Sequence, residues 1–151
     1  MKILIVNGPN LNRLGTREPD IYGHRTMADC MEGLRRTFPG IEIEEYQSNV
    51  EGFLIDRLQQ ADREADGIVL NAGAYTHTSI ALADCIRSLA VPVVEVHISN
   101  VHAREDYRRQ SMIAPACMGV VCGFGLDSYR LAVEALVLQA ANNRPSEKQK
   151  E

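Results

Sequence analysis

The stretch 68-IVLNAGAYTHTSIALADCIRSLAVPVVEVHISN-100 holds a strand, a crossover and a second strand in one piece. Residues 68–70 and 93–96 are short apolar runs rich in β-branched side chains, and 78–90 between them places apolar residues at helical spacing. Two such runs joined by a helix read as a parallel βαβ unit, because parallel strands need a long crossover that also covers the sheet. Runs that are apolar at nearly every position, rather than at every second one, belong to strands buried on both faces.

The same alternation extends in both directions. The runs 3-ILIV-6 and 119-GVVCG-123 read as further buried strands, while 41-IEIEEY-46 alternates as a strand with a wetter face or an edge position does. Helical patterns fall at 26–38, 51–65 and 126–143. Thr26 with Asp29 reads as an N-terminal cap, Thr78 or Ser79 caps the helix over 78–90, and Pro39-Gly40 stops the first helix. Right-handed crossovers then predict an α/β fold: a flavodoxin-like three-layer sandwich, its five-stranded parallel sheet in the order 2-1-3-4-5 with helices on both faces.

At 151 residues the chain is long enough for one sizeable core and too short for two, so 1–143 reads as a single domain and the polar tail 144–151 is expected to fray. Hydrophobic residues make up 45% and charged residues 24%, the balance of an ordinary globular protein. The net charge of -4 argues against nucleic acid as a partner, since phosphate binding calls for a basic surplus. Cys30, Cys85, Cys117 and Cys122 form no CxxC pair, and the apolar run before Asn7 is too short for a signal peptide. With no apolar run approaching the roughly 18 residues of a membrane span, a cytoplasmic, thiol-reduced protein is expected.

In such sheets ligands bind outside the carboxyl ends of the strands. The polar residues there are dense: Asn7 to Asn12 after the first run, Asn71 to His77 after the third, Glu95 to Asn100 at the fourth. The first loop, 7-NGPNLNRLGTREPDIYGHRT-26, is long for a βα connection, and it reads either as a solvated surface loop or as a lid carrying Arg17 and Tyr22. No GxGxxG or P-loop lysine appears in it. After the third strand, Asn71 and His77 are not explained as caps, and the following helix N-terminus offers N–H groups to an oxygen-rich ligand.

Period-2 geometry puts Glu95 and His97 on one face of their strand and Val94, Val96 and Ile98 on the other. A carboxylate beside an imidazole fixes its tautomer and raises its basicity, as a general acid or base requires, although a satisfied pair plugging the sheet end has the same spacing. Ser99, Asn100, His102, Arg104 and Arg108 converge on the same end. The residues alone admit an acid–base enzyme, a binding module for a small polyhydroxylated anion, or a metal site from His77, His97 and His102, whose spacing matches no compact zinc signature. The only lysines are Lys2, Lys148 and Lys150, so no strand-end loop offers a Schiff-base nucleophile.

Three segments, NGPNLNRLGTREPDIYG (7–23), NAGAYTHTSIALAD (71–84) and VPVVEVHISNVHAREDYR (91–108), closely resemble in order and spacing the signatures of the type II 3-dehydroquinate dehydratases. The resemblance runs over about residues 3–140 and includes 47-QSNVEG-52 and 119-GVVCGFG-125. It implies a lyase that converts 3-dehydroquinate to 3-dehydroshikimate, a step of aromatic biosynthesis and of quinate breakdown, without metal or cofactor, on a flavodoxin-like fold assembled as a dodecamer of four trimers. On that resemblance Tyr22 is the base, Arg17 stabilises the tyrosinate and the transition state, and His97, oriented by Glu95, is the acid. Asn10 helps hold the enolate oxygen; Asn71, His77 and Arg108 meet substrate hydroxyls; the N–H groups of Ile98 and Ser99 receive the carboxylate; Asp84 reaches a neighbouring subunit's site. A tyrosine ordinarily titrates at about 10, so a neutral-pH tyrosine base needs roughly 4 kcal/mol of stabilisation of its anion, for which Arg17 is the nearby source. Four positions depart from the usual pattern: Ala83 for arginine, Arg13 for an apolar residue, Val50 for histidine and Met112 for an aromatic.

Overall fold

The computed structural model describes residues 1–16, 20 and 24–143. Arg17, Tyr22 and the tail 144–151 lie outside the described residues. Five strands, β1 (Lys2–Asn7), β2 (Glu42–Gln47), β3 (Gly67–Asn71), β4 (Val93–His97) and β5 (Gly119–Cys122), form one sheet. Every pairing is parallel and the order is β2-β1-β3-β4-β5, as the sequence predicts. Among the described residues four α-helices, α1 (Met27–Thr37), α2 (Glu51–Ala61), α3 (Ile80–Ser88) and α4 (Asp127–Asn142), cover the two faces.

Strand periodicity divides the core in two. Ile3, Ile5, Val69, Val94 and Val96 pack with residues of α1 and α4, among them Leu34 and Val133. Their alternates Leu4, Val6, Ile68, Leu70 and Val93 pack with residues of α2 and α3, among them Leu58 and Ile86. Burying β1, β3 and β4 on both sides is why those runs are continuously apolar. Ala83 sits in the α2–α3 core rather than at the surface.

Helix ends follow the sequence signals closely. Thr26 and Asp29 form a reciprocal capping box on α1, with Asp29 N–H donating to Thr26 Oγ1 at 3.2 Å and Thr26 N–H to Asp29 Oδ2 at 2.8 Å. Ser79, not Thr78, caps α3: its Oγ accepts from Leu82 N–H at 2.9 Å, while Thr78 closes the preceding 3-10 turn. Among the described residues no helix is long and apolar enough to cross a membrane.

One expectation changes. The run 119-GVVCG-123 reads as a buried strand, yet in β5, at the edge where the predicted order puts it, Val120 is 48% exposed. Val121, on the α4 side, packs against the core, whereas its neighbour Val120, register partner of Glu95 on the other face, belongs to neither core cluster. Between β4 and β5, where the sequence shows no helical pattern, the chain forms 3-10 turns at Val101–Ala103, Asp106–Arg109 and Ala114–Ala116. That segment supplies much of the site.

Candidate active site

The order β2-β1-β3 means that the chain leaves β1 and β3 toward opposite faces, which opens a crevice beyond their carboxyl ends. A cleft with about 720 Å³ of empty space, counting the part open to solvent, lies there. Residues after β1, β3 and β4 line it together with Arg104 and Arg108. The loops after β1 and β3 touch: Gly8 N–H donates to the Asn71 carbonyl at 2.7 Å, and a Cβ on residue 8 would stand 2.5 Å from the Ala72 carbonyl oxygen. Only glycine allows that approach.

Asn10 enters the cleft from a left-handed turn at φ 70°, a conformation asparagine tolerates better than most residues. The turn is anchored on Asn49, whose Oδ1 accepts from Asn10 N–H and Gln47 Nε2, each at 3.0 Å. The Asn49 carbonyl also accepts from the Tyr75 hydroxyl at 3.0 Å, so one residue after β2 ties down the loops after β1 and β3.

Glu95 and His97 share a face of β4, as periodicity requires, and His97 Nε2 lies 2.6 Å from Glu95 Oε1. The other oxygen, Oε2, accepts from Ser111 Oγ at 3.0 Å, and Ser111 Oγ accepts in turn from Ala114 N–H at 2.9 Å. Glu95 is 1% exposed, so a carboxylate with both oxygens engaged stands behind the imidazole and no water competes for it. Nε2 is committed to that bond, which leaves Nδ1 as the nitrogen with which His97 can meet a ligand.

His77 takes the complementary arrangement. Its Nδ1 is 2.6 Å from the Gln110 carbonyl, which can only accept, so Nδ1 carries the proton and Nε2 remains for a ligand. The two imidazoles lie 6.3 Å apart, centroid to centroid, with planes 20° from parallel.

The cleft is cationic. Arg13, Arg104 and Arg108 line it beside the two histidines, and the buried carboxylate of Glu95 is spent on His97. Arg108 is itself fixed: its Nε donates to Glu105 Oε2 at 2.7 Å and its guanidinium stands 5.1 Å from the Tyr107 ring centroid. A hydrogen bond from its own backbone N–H, reinforced by Arg108, holds the Glu105 carboxyl down to about 2. The arrangement suits a small anion that also carries hydroxyl groups, and one imidazole is held ready for proton transfer.

Of the residues singled out from sequence, Asn10, Asn71, His77, His97, Ile98, Ser99 and Arg108 all line this one cleft, with Glu95 directly behind His97. Asp84 does not: it lies on the exposed side of α3, paired with Arg87 at 3.0 Å. His102 is exposed and does not line the cleft, so it does not converge there with Arg104 and Arg108. Among the described residues no group of three His, Cys, Asp or Glu side chains is placed to hold a metal ion. Sequence reading missed Ser111 and Tyr129. Ser111 gave no signal, whereas Tyr129 is a polar-tipped aromatic inside the apolar stripe of α4, where a buried hydroxyl demands a partner.

Residues 1–137 match the family model described as Dehydroquinase class II. A protein of Rhizobium johnstonii named 3-dehydroquinate dehydratase is 58% identical over 138 residues, covering 89% of this chain and 94% of the relative. One of the same name from Clostridium acetobutylicum is 54% identical over 138 residues, covering 90% and 96%. The crystal structure of the type II dehydroquinase from Butyrivibrio crossotus superposes with a TM-score of 0.88 at 45% identity, covering 91% of this chain and 97% of the other.

Proposed function

The chain belongs to the class II dehydroquinase family and is an enzyme that dehydrates 3-dehydroquinate, and from that premise we propose that it does so by anti elimination through an enolate. Tyr22, as tyrosinate, takes the proton from the carbon beside the substrate ketone, and the electron pair moves onto the ketone oxygen. Arg17 stabilises both the tyrosinate and the charge that develops. Asn10 holds the enolate oxygen, through water. The enolate then re-forms the ketone and a new carbon–carbon double bond as the carbon–oxygen bond to the leaving hydroxyl breaks. The imidazolium of His97 gives that hydroxyl a proton from Nδ1, water leaves, and the Tyr22 proton returns to His97 through solvent.

Binding follows from the charge and donor pattern of the cleft. The substrate carboxylate lies against the backbone N–H groups of Ile98 and Ser99, and its ring hydroxyls meet Asn71, His77 and Arg108. Neither metal nor cofactor takes part. Asp84, exposed on α3, meets the cleft of a neighbouring subunit in a dodecamer built from trimers.

The observation that carries this reading is the Glu95–His97 pair at 2.6 Å, opening on a cationic cleft that also holds Asn71 and His77. Binding alone needs no carboxylate buried behind an imidazole. The test mixes the chain with 3-dehydroquinate and follows the ultraviolet absorbance of the conjugated enone, with and without a chelator. A rising signal that the chelator leaves unchanged is expected; a folded chain that binds 3-dehydroquinate without turning it over is a binding module instead. Tyr22→Phe abolishes turnover and leaves the fold intact, and an active Tyr22→Phe enzyme removes the tyrosine from its role.

A further inference from the structure

Tyr129 is fully buried at the start of α4, on the opposite face of the sheet from Glu95, and its hydroxyl sits between two asparagines that end neighbouring strands. Asn7 and Asn71 are register partners of β1 and β3. The Tyr129 hydroxyl donates to Asn7 Oδ1 at 2.7 Å and accepts from Asn71 Nδ2 at 2.9 Å. Asn7 Nδ2 donates to Glu45 Oε1 at 3.2 Å, and Gly73 N–H donates to Asn71 Oδ1 at 3.2 Å.

The chain of bonds has a single possible direction. At one end Gly73 N–H can only donate, so the oxygen of the Asn71 amide must face it and the nitrogen must face Tyr129. At the other end an ionised Glu45 can only accept, so Asn7 turns its nitrogen outward and its oxygen toward Tyr129. The phenol, which can donate once while accepting, satisfies both asparagines. Burial pushes its ionisation well above the ordinary tyrosine value, which keeps the hydroxyl proton in place. Asn71 has then spent its oxygen and one N–H, and its second N–H is left for the cleft it lines.

We propose that Tyr129 is a positioning residue for the dehydration: it locks the Asn71 amide so that one Nδ2 N–H is presented to a substrate hydroxyl. The inference rests on the reading that Asn71 meets substrate, and it adds a residue on the far side of the sheet that touches no substrate. Without the phenol oxygen the amide keeps only the 3.2 Å bond from Gly73 N–H, its nitrogen end is no longer held, and the N–H aimed at the cleft is aligned less often before substrate arrives.

The test is a KM-against-kcat comparison of Tyr129→Phe, Asn71→Ala and the double variant in the full-length protein. Tyr129→Phe is expected to raise KM for 3-dehydroquinate about tenfold, with kcat within about twofold and the pH profile unchanged. In the double variant it adds nothing to the effect of Asn71→Ala. Unchanged KM in Tyr129→Phe beside a raised KM in Asn71→Ala overturns the positioning role alone. Unchanged KM in Asn71→Ala overturns the substrate contact itself, and the inference with it. If Tyr129→Phe does not fold, asparagine side-chain amides labelled with 15N in the unsubstituted protein decide the matter, using 3-dehydroshikimate as the probe. One Asn71 Nδ2 proton is expected to resist solvent exchange while the other shifts on addition of the probe; free exchange of both overturns the proposal.

Discussion

Ser111 Oγ lies 3.0 Å from Glu95 Oε2, so the carboxylate that holds His97 is itself held from the segment between β4 and β5. The bond links two parts of the chain that local sequence rules do not connect, and it leaves Glu95 no second orientation.

Ser111→Ala is expected to lower kcat about three- to tenfold, because Glu95 loses one of its two anchors and His97 is aligned less often. Steady-state kinetics beside a thermal melt checks this. A fall in melting temperature with kcat unchanged confines Ser111 to the structure.

On the proposed mechanism His97→Ala removes the proton donor to the leaving hydroxyl, and it is expected to cost about 10²- to 10⁴-fold in kcat, the usual range for a general acid. Glu95→Gln keeps the shape but offers an amide where a carboxylate faced the imidazole, and a loss of at least about tenfold follows. Circular dichroism and melting temperature show whether the fold survives, and a His97→Ala enzyme with near-normal kcat ends its assignment as the acid.

A distinct prediction concerns acid. The Glu105 carboxyl is held below its ordinary value of 4.5, at about 2, by its own backbone N–H and by Arg108. A carboxylate with a lowered folded value contributes stability that is present above its unfolded value and lost as the pH falls through the folded one. That contribution is therefore complete above pH about 4.5 and gone below about 2. The group is exposed, so the effect is small and weakens with salt. Melting temperature measured against pH should separate the protein from Glu105→Gln above that window and let the two converge inside it; parallel curves across the window contradict the assignment.

Borohydride added with 3-dehydroquinate should leave the enzyme active. Of the three lysines, Lys148 and Lys150 lie in the tail outside the described residues, and Lys2 begins β1, at the end of the sheet away from the cleft. Lys2 is held by Glu44 at 2.9 Å and Glu42 at 3.5 Å. Irreversible inactivation with a mass increase on lysine contradicts an enolate route.

The sequence by itself determined the order of strands and helices, the two faces of the sheet, and the pairing of Glu95 with His97. These depend on periodicity, capping and crossover length, which act over a few residues and leave their pattern in the chain. The segments 71–77 and 97–108 also marked the strand ends that meet in the cleft. Only the tertiary structure decided which side chains share it. Asn71 and His97 project from opposite faces of the sheet and come together because both sit at its carboxyl edge, where neither face continues. It also left Asp84 outside this chain's cleft, exposed Val120 on β5, and brought Tyr129 to Asn7 across 122 positions of sequence. A hydrogen bond at that separation exists only because packing α4 against the sheet buries a hydroxyl and two amides together, and a buried polar group must find its partner.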